Sequence, residues 1–277
     1  MFHIDHSAKM ASSSFHLGKE MGCWPRPAGG ASFFCQFCQY DYKGDNVTKL
    51  WKSDEELFSI AKNELFTAVV GDIMDTMGLQ RQFLPPQIKP MREDMIVVGR
   101  AMTVLEGDVF TEVQGSGANP VIQKPFGLTF EALDQLKPNE VWIGTGCGPT
   151  CARFGGLMAT RAKYLGAVGA VLNGYVRDAR EIMHLNYPCF CHGNYAQDGG
   201  PRGKVMDYRV PLRVGDVFVR PGDIVFGDID GVCVVPKEAE EEVFNGAIEK
   251  ARGEQTVKKA IEGGMSTVEV FEKYGIM

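Results

Sequence analysis

The sequence predicts an α/β fold in which helices cover a layered sheet. Three features support this class: an alanine-rich helix and a continuous apolar strand over residues 151–172, short strands separated by glycine turns over 205–235, and helical periodicity after Pro236. A strand that is apolar throughout is typical of a sheet buried on both faces. The predicted order is helices, then α/β units, then a strand-rich segment and a helical tail. This order favours a layered sandwich.

The first predicted elements are two helices. Ser53 and Glu56 have the spacing of a capping box, which predicts a helix through about Leu65. A second helix is expected over residues 67–77, where Gly78 would end it.

The later elements follow from apolar runs and turn residues. A loop is expected at the prolines 85, 86 and 90, and a helix over 151–165 precedes the apolar strand. The helical tail has predicted breaks at Gly253 and at 263–264. Strands are expected at 95–105, 141–144, 167–172, 189–191, 217–219, 224–226 and 231–235.

Composition limits the function. The chain has 277 residues, 44% of them hydrophobic, and a net charge of −6, which argues against general binding to nucleic acid or an anionic membrane. No apolar run reaches the length of about 18 residues that a membrane span needs. Because eight cysteines in a chain of this length do not form a disulfide scaffold, and residues 1–6 do not resemble a secretory signal, we expect a cytoplasmic protein.

Residues 1–52 differ from the rest and are expected to form an N-terminal arm, with the main domain over 53–277. The arm holds His3, His6, His16 and Cys23, and it contains the lone C-x-x-C of residues 35–38. A zinc site would need two further ligands, so unpaired thiols are the favoured interpretation.

The strongest candidate site begins at residues 154–158, Phe-Gly-Gly-Leu-Met. Glycines that open a helix leave backbone N–H groups able to bind a carboxylate, although close helix packing explains them equally well. Arg177 and Asp178 follow the apolar strand, at the sheet edge where open α/β sheets bind ligands. Two structural alternatives remain open: Arg177 as a surface ion-pair partner, and Asp178 as a helix cap with Glu181.

A metal at this site would be held by oxygen. From residue 53 onward the only histidines are His184 and His192, without a close pairing. Mg²⁺ or Mn²⁺, which retain several waters, needs only one direct carboxylate, and Asp178 is the candidate. Other reactive groups have structural interpretations that we favour: Cys151 as a small buried residue, Lys163 on a solvated helix face, and residues 228–231 as a hairpin turn.

Five spaced motifs, at residues 67–75, 98–103, 154–158, 173–178 and 221–231, resemble the RraA-like family in the same order. This family includes the class II 4-hydroxy-4-methyl-2-oxoglutarate / 4-carboxy-4-hydroxy-2-oxoadipate aldolases and the regulators of ribonuclease E activity. The resemblance covers about residues 53–277. It implies a ββα sandwich of the swivelling-domain type with a helical C-terminal tail, in a homotrimer or homohexamer whose active sites lie between subunits.

The resemblance also implies roles for individual residues. Arg177 would hold a small 2-oxo acid, Asp178 would ligate the divalent metal, and the N–H groups of Leu157 and Met158 would bind the pyruvyl carboxylate. Glu254, from the neighbouring subunit, would contact metal-bound water. Gly156 departs from the family, because the aldolases usually have an acid there that helps to move a proton.

The predicted function is therefore a metal-dependent lyase that cleaves a C–C bond of a 2-oxo acid to give pyruvate. Without an acid at Gly156, we expect oxaloacetate decarboxylation to exceed aldol cleavage, because decarboxylation needs no base for a hydroxyl proton. The alternative is a non-catalytic, protein-binding regulator of a ribonuclease. Those regulators lack the acid after the arginine, whereas this chain retains Asp178, which favours the enzyme. Specificity beyond the pyruvyl half is expected from loops such as 106–130.

Overall fold

The structure is a computed structural model that describes residues 32–35, 38–43, 49–109 and 119–275. Two antiparallel strands are described from the N-terminal arm, and in their backbone register Cys35 lies opposite Cys38. His3, His6, His16 and Cys23 lie outside the described residues, as does 110–118 of the predicted specificity loop. The arm boundary at residue 52 stays a prediction.

Helices and strands follow one another in short runs along the described chain, and a longer run of strands lies between residues 189 and 235. The helices are α1 Asp54–Glu64, α2 Thr67–Thr76, α3 Pro120–Gln123, α4 Thr129–Asp134, α5 Gly156–Tyr164, α6 Ala179–His184, α7 Glu240–Glu262 and α8 Thr267–Tyr274. The strands are β1 Ser32–Cys35, β2 Cys38–Lys43, β3 Lys89–Pro90, β4 Val97–Asp108, β5 Glu140–Thr145, β6 Ala152–Phe154, β7 Gly169–Leu172, β8 Tyr175–Val176, β9 Cys189–Cys191, β10 Gly193–Asn194, β11 Gly203–Tyr208, β12 Leu212–Val214, β13 Val217–Val219, β14 Ile224–Asp228 and β15 Gly231–Val235. No described helix is long and apolar enough to cross a membrane.

The main sheet has the order β15-β14-β4-β5-β7-β9-β3, and β11 also pairs with β4. Its centre, β4-β5-β7-β9, is parallel, whereas β3, β11, β14 and β15 run antiparallel to their neighbours. The carboxyl ends of the parallel strands therefore meet at one edge. A second, small parallel sheet has the order β10-β8-β6. In the sequence, β6, β8 and β10 come directly after the main-sheet strands β5, β7 and β9, respectively.

Side chains of β4 show how the sheet is covered. On one face, Val98 packs in a cluster with α1, α2 and α7, and Met102 packs in a cluster with α4, α5 and α6. Successive strand residues point to opposite faces, and on the other face Val97 and Ala101 pack with the hairpin β12–β13. The helices, the main sheet and this hairpin form three layers, which confirms the predicted ββα sandwich.

Local signals in the sequence account for several boundaries. The Ser53 side chain accepts the backbone N–H of Glu56 at the start of α1, as predicted. Asp228 ends β14 in the predicted hairpin turn, and its carboxylate accepts both the N–H and the hydroxyl of Thr67, at 2.7 and 2.8 Å. The turn therefore also caps helix α2, which has no cap from its own neighbouring residues.

Two predicted boundaries are wrong, and Pro90, which was expected in a loop, lies in the short strand β3, where it pairs with Phe190. The helix expected over 151–165 begins only at Gly156, because Ala152–Phe154 pair with β8 as strand β6. The break expected at Gly253 does not occur, and α7 continues to Glu262. Glycine costs a helix interior about 1 kcal/mol relative to alanine, and the buried Ala251 and Val257 on either side supply packing that offsets this cost.

A candidate active site at the start of helix α5

Helix α5 begins where the small sheet ends, and two glycines make room for neighbouring groups. An added Cβ at Gly155 would lie 2.8 Å from Asp178 Oδ2, and one at Gly156 would lie 2.6 Å from the carboxyl carbon of Glu181. The N–H groups of Leu157 and Met158 lie in the first turn, and neither donates to another described residue. This turn therefore has donors available for an anion.

Asp178 faces this helix start. Its backbone is left-handed, with φ 56° and ψ 36°, a conformation that Asp tolerates better than most residues. Its Oδ2 accepts the N–H of Gly156 at 3.1 Å, and its side chain makes no cap bond to α6. The interpretation of Asp178 as a side-chain cap for its own helix is wrong, because the left-handed turn directs the carboxylate to α5.

Arg177 lies between two carboxylates. Its Nη1 is 2.8 Å from Asp198 Oδ1, and its Nε is 3.6 Å from Asp178 Oδ2. Its side chain is 41% exposed, so the guanidinium is held in place and still reaches solvent. Arg177 does not follow β7 directly: a turn at 173–174 leads into the short strand β8, and the small sheet places the arginine.

Hydrogen bonds connect polar groups on the strands next to the site. Asn173, after β7, donates to the hydroxyl of Thr145 at the end of β5, at 3.0 Å. Arg153 of β6 donates to the backbone oxygens of Gly199 and Gly203, so it holds the segment that contains Asp198. Glu106 lies 3.5 Å from Arg153, but burial of its carboxyl is the larger effect and raises its pKa to about 7.

The donor set fits a hard divalent cation. Oδ1 of Asp178 makes no hydrogen bond or ion pair with a described residue, and the side chain is 43% exposed. Within the described ranges, no group of three or more His, Cys, Asp or Glu is arranged to hold a metal. One carboxylate oxygen with space for water is the arrangement in which Mg²⁺ or Mn²⁺ binds while it keeps most of its hydration shell.

Glu254 lies elsewhere in the chain. It is on α7, which packs against α2, and its carboxylate is 3.9 Å from Lys250. Burial raises the pKa of Glu254. Among the described residues, no hydrogen bond or ion pair joins Glu254 to Arg177 or Asp178.

The other reactive groups have structural positions. Cys151 is buried, as predicted, and burial raises the pKa of Cys147 to about 12, so the Cys147 thiol is not activated as a nucleophile. Lys163 is exposed and donates to the backbone oxygen of Leu185. Both oxygens of Asp228 accept hydrogen bonds from protein groups, as a turn and cap residue requires.

Sequence reasoning missed two acids at this site. Asp198 pairs with Arg177 although 21 residues separate them, and no spacing pattern connects the two. Glu181 entered only as the partner in a helix cap, yet its carboxylate lies against Gly156. Its position three residues after Asp178 gave the one available signal, because it predicted a side chain in the first turn of α6.

Comparisons with known proteins agree with this description. A family model described as RraA-like, Aldolase/RraA, matches residues 67–234. A protein of Halalkalibacterium halodurans named "Putative 4-hydroxy-4-methyl-2-oxoglutarate aldolase" is 32% identical over 206 residues, which are 74% of this chain and 89% of that protein. Protein DlpA of Legionella pneumophila is 30% identical over 75% of this chain, which spans about a third (32%) of DlpA.

A solved structure matches in fold. It is Streptomyces coelicolor RraAS2, described as an unusual member of the RNase ES inhibitor RraA protein family. It has a TM-score of 0.64 at 22% identity, over 75% of this chain and 99% of that one. The family model covers more than half of the chain, and it includes the helix start, Arg177 and Asp178. The chain therefore belongs to the RraA-like (Aldolase/RraA) family.

Proposed function

We propose that this protein is a divalent-cation-dependent lyase that cleaves a C–C bond of a small 2-oxo acid and releases pyruvate. The observation that carries the proposal is the convergence at α5: free N–H groups of Leu157 and Met158, the guanidinium of Arg177, and the half-exposed carboxylate of Asp178. The relatives named as aldolases support this reaction class.

Each group has a defined task. The N–H groups of Leu157 and Met158 bind the substrate carboxylate, with the positive end of the helix dipole behind them. Arg177 binds the 2-oxo oxygen through charge-assisted hydrogen bonds, and Asp198 fixes the guanidinium in that orientation. Asp178 holds Mg²⁺ or Mn²⁺, which when bound acts as a Lewis acid on the oxygens of the substrate.

Bond cleavage leaves an electron pair on C3, and this pair delocalises onto the 2-oxo oxygen as an enolate. Arg177 stabilises the negative charge that develops there, which is where a preorganised donor contributes most to rate. Oxaloacetate loses CO₂ in this way, and a 4-hydroxy-2-oxo acid would lose its C4 portion as a carbonyl compound. Pyruvate is the product in both cases.

Assembly completes the proposed site. A homotrimer or homohexamer would place Glu254 of a neighbouring copy near the metal-bound water, since among the described residues of one chain no hydrogen bond or ion pair joins Glu254 to Asp178. Leu157 is 80% exposed beside the site, which fits a surface that a second copy covers. We place the protein in the cytoplasm, with a small-molecule substrate and no nucleic acid or membrane partner.

The test is a screen for pyruvate release from 2-oxo acids with Mg²⁺ or Mn²⁺. The informative variant is Asp178→Asn, which tolerates the left-handed backbone and has nearly the same shape, but is a poor cation ligand. Asp216→Asn, at the exposed turn of hairpin β12–β13, is the matched control. We expect the control and the wild type to release pyruvate, and Asp178→Asn to lose metal-dependent release. Full activity of Asp178→Asn would contradict the role of Asp178 as the metal ligand. No release by the wild type would favour the non-catalytic regulator instead.

A further inference from the structure

Glu181 occupies the space beside the Cα of Gly156. The ideal Cβ position of Gly156 is 2.6 Å from Glu181 Cδ and 3.1 Å from its Cγ, and the Oε2 atom is closer still. The carboxylate therefore lies where a side chain on residue 156 would begin. Only glycine at position 156 permits this approach.

The carboxylate of Glu181 has no partner among the described residues. It accepts no hydrogen bond there and forms no ion pair, although Arg177 and Asp178 are adjacent to Gly155 and Gly156. The residue is exposed, and its local hydrogen bonds are made by the backbone: its N–H donates to the Asp178 carbonyl and its carbonyl accepts the N–H of Leu185, both at 2.9 Å. A carboxylate in this state can accept a proton from a bound molecule.

The left-handed turn at Asp178 explains this arrangement. In a capping box, a Glu at the third helical position folds back onto the cap residue. Here Asp178 turns its side chain to α5 and makes no cap bond in α6, so the reciprocal arrangement does not form. Glu181 therefore reaches across to the same helix start that Asp178 caps.

From this geometry we infer that Glu181 is the base for C–C cleavage of a 4-hydroxy-2-oxo acid, a role that rests on the proposed function. The Glu181 carboxylate takes the C4 hydroxyl proton, and the C4–O bond becomes a carbonyl. The C3–C4 electron pair passes to C3 and forms the enolate stabilised by Arg177. Protonation of C3 by the Glu181 carboxylic acid then yields pyruvate and regenerates the base.

A base at Glu181 changes the expected consequence of Gly156. The sequence has no acid at position 156, which predicts weak aldol cleavage. The Glu181 carboxylate lies beside Gly156, with its carboxyl carbon 2.6 Å from the ideal Cβ position, so Glu181 can supply the base and aldol cleavage is expected.

The experiment compares two reactions in the holoenzyme with Mn²⁺. Decarboxylation of oxaloacetate needs no hydroxyl base, whereas cleavage of 4-hydroxy-4-methyl-2-oxoglutarate does. For Glu181→Gln we expect kcat for aldol cleavage to fall about 100- to 10,000-fold, the usual contribution of a positioned base. Decarboxylation and KM should change less than about threefold, and Asp216→Asn should leave both reactions unchanged.

Two further measurements separate proton transfer from other roles. Calorimetric titration of Mn²⁺ should give the same affinity for Glu181→Gln and the wild type. The double variant Gly156→Asp/Glu181→Ala, which moves the carboxylate to residue 156, should recover aldol cleavage at least tenfold over Glu181→Ala.

Three results would overturn the inference. Unchanged aldol cleavage in Glu181→Gln would remove the base role of Glu181 alone. Equal loss of decarboxylation and Mn²⁺ affinity in Glu181→Gln would make the residue a metal-site residue. If the wild type releases pyruvate from neither substrate, the proposed function fails, and the role of Glu181 fails with it.

Discussion

Gly156→Ala tests the steric relation between α5 and Glu181 without removing a charged group. The added methyl carbon would lie 2.6 Å from Glu181 Cδ, and ordinary contact begins at 3.4 Å. The carboxyl carbon must therefore retreat by about 0.8 Å, and Oε2, which is closer, must retreat further. The flexible end of an exposed side chain can make this movement at little cost in folding stability.

A displacement of this size is large for a catalytic group. A misplacement of about 1 Å costs on the order of 100-fold in rate. We therefore expect kcat for cleavage of 4-hydroxy-4-methyl-2-oxoglutarate to fall about 100-fold in Gly156→Ala, while oxaloacetate decarboxylation falls less than about threefold.

The assay is coupled pyruvate detection on both substrates, with thermal unfolding to verify the fold. Gly174→Ala is the matched control, because a Cβ there would meet no atom within 4 Å. Aldol cleavage by Gly156→Ala at the wild-type rate would refute the reasoning, since the carboxylate would then not need the position beside Gly156.

Three other changes have definite expected outcomes. Arg177→Lys keeps the charge but loses the two-point fork, so kcat/KM in steady-state assays should fall about 100-fold, a loss of a few kcal/mol in transition-state stabilisation. Near wild-type kinetics would contradict the role of Arg177. Asp228→Ala removes two acceptors from Thr67 and should cost about 1–3 kcal/mol in urea unfolding; unchanged stability would contradict the cap. The Arg100 guanidinium bonds Asp54 and Glu240, and its hydrogen bond lowers the pKa of Asp54. The Arg100–Asp54 pair therefore stabilises the fold above the unfolded pKa of about 3.8. That contribution is lost as the pH falls through the lower folded pKa of Asp54. Arg100→Met should therefore destabilise the protein by about 2 kcal/mol at pH 7 and by less in acid, and a pH-independent difference would contradict this account.

Periodicity and turn residues predicted the layers of the fold well, because each layer repeats a local pattern. The strand predicted at 167–172 is present as Gly169–Leu172, and the hairpin turn at 228–231 and the cap at Ser53 are also present. All three depend on neighbouring residues. The start of α5 was wrong because strand pairing with β8, which is distant in sequence, overrides the helix preference of alanine. The helix break predicted at Gly253 was wrong because packing on both sides of this glycine maintains helix α7.

The candidate site was predictable only in part, for a similar reason. Arg177, Asp178 and the helix start lie in two short motifs with chemically distinctive residues. The small sheet brings the segment of Asp198 next to Arg177. The orientation of Glu181 depends on the left-handed backbone of Asp178. The contact of Asp198 has no local signal, because it depends on how separate segments meet. The spacing of Glu181 from Asp178 indicated only a side chain in the first turn of α6.

The most direct test of the account is whether the cation and the 2-oxo acid bind at one site. Calorimetry would measure Mn²⁺ affinity with and without oxalate, a dianion that resembles the pyruvate enolate, for the wild type and Asp178→Asn. Because coupled ligands affect each other equally, we expect oxalate to tighten Mn²⁺ binding by at least tenfold in the wild type. Asp178→Asn should lose both the Mn²⁺ binding and the coupling. Equal Mn²⁺ affinity in Asp178→Asn, or no effect of oxalate on the wild type, would contradict the central claim that Asp178 and Arg177 form one metal-dependent lyase site.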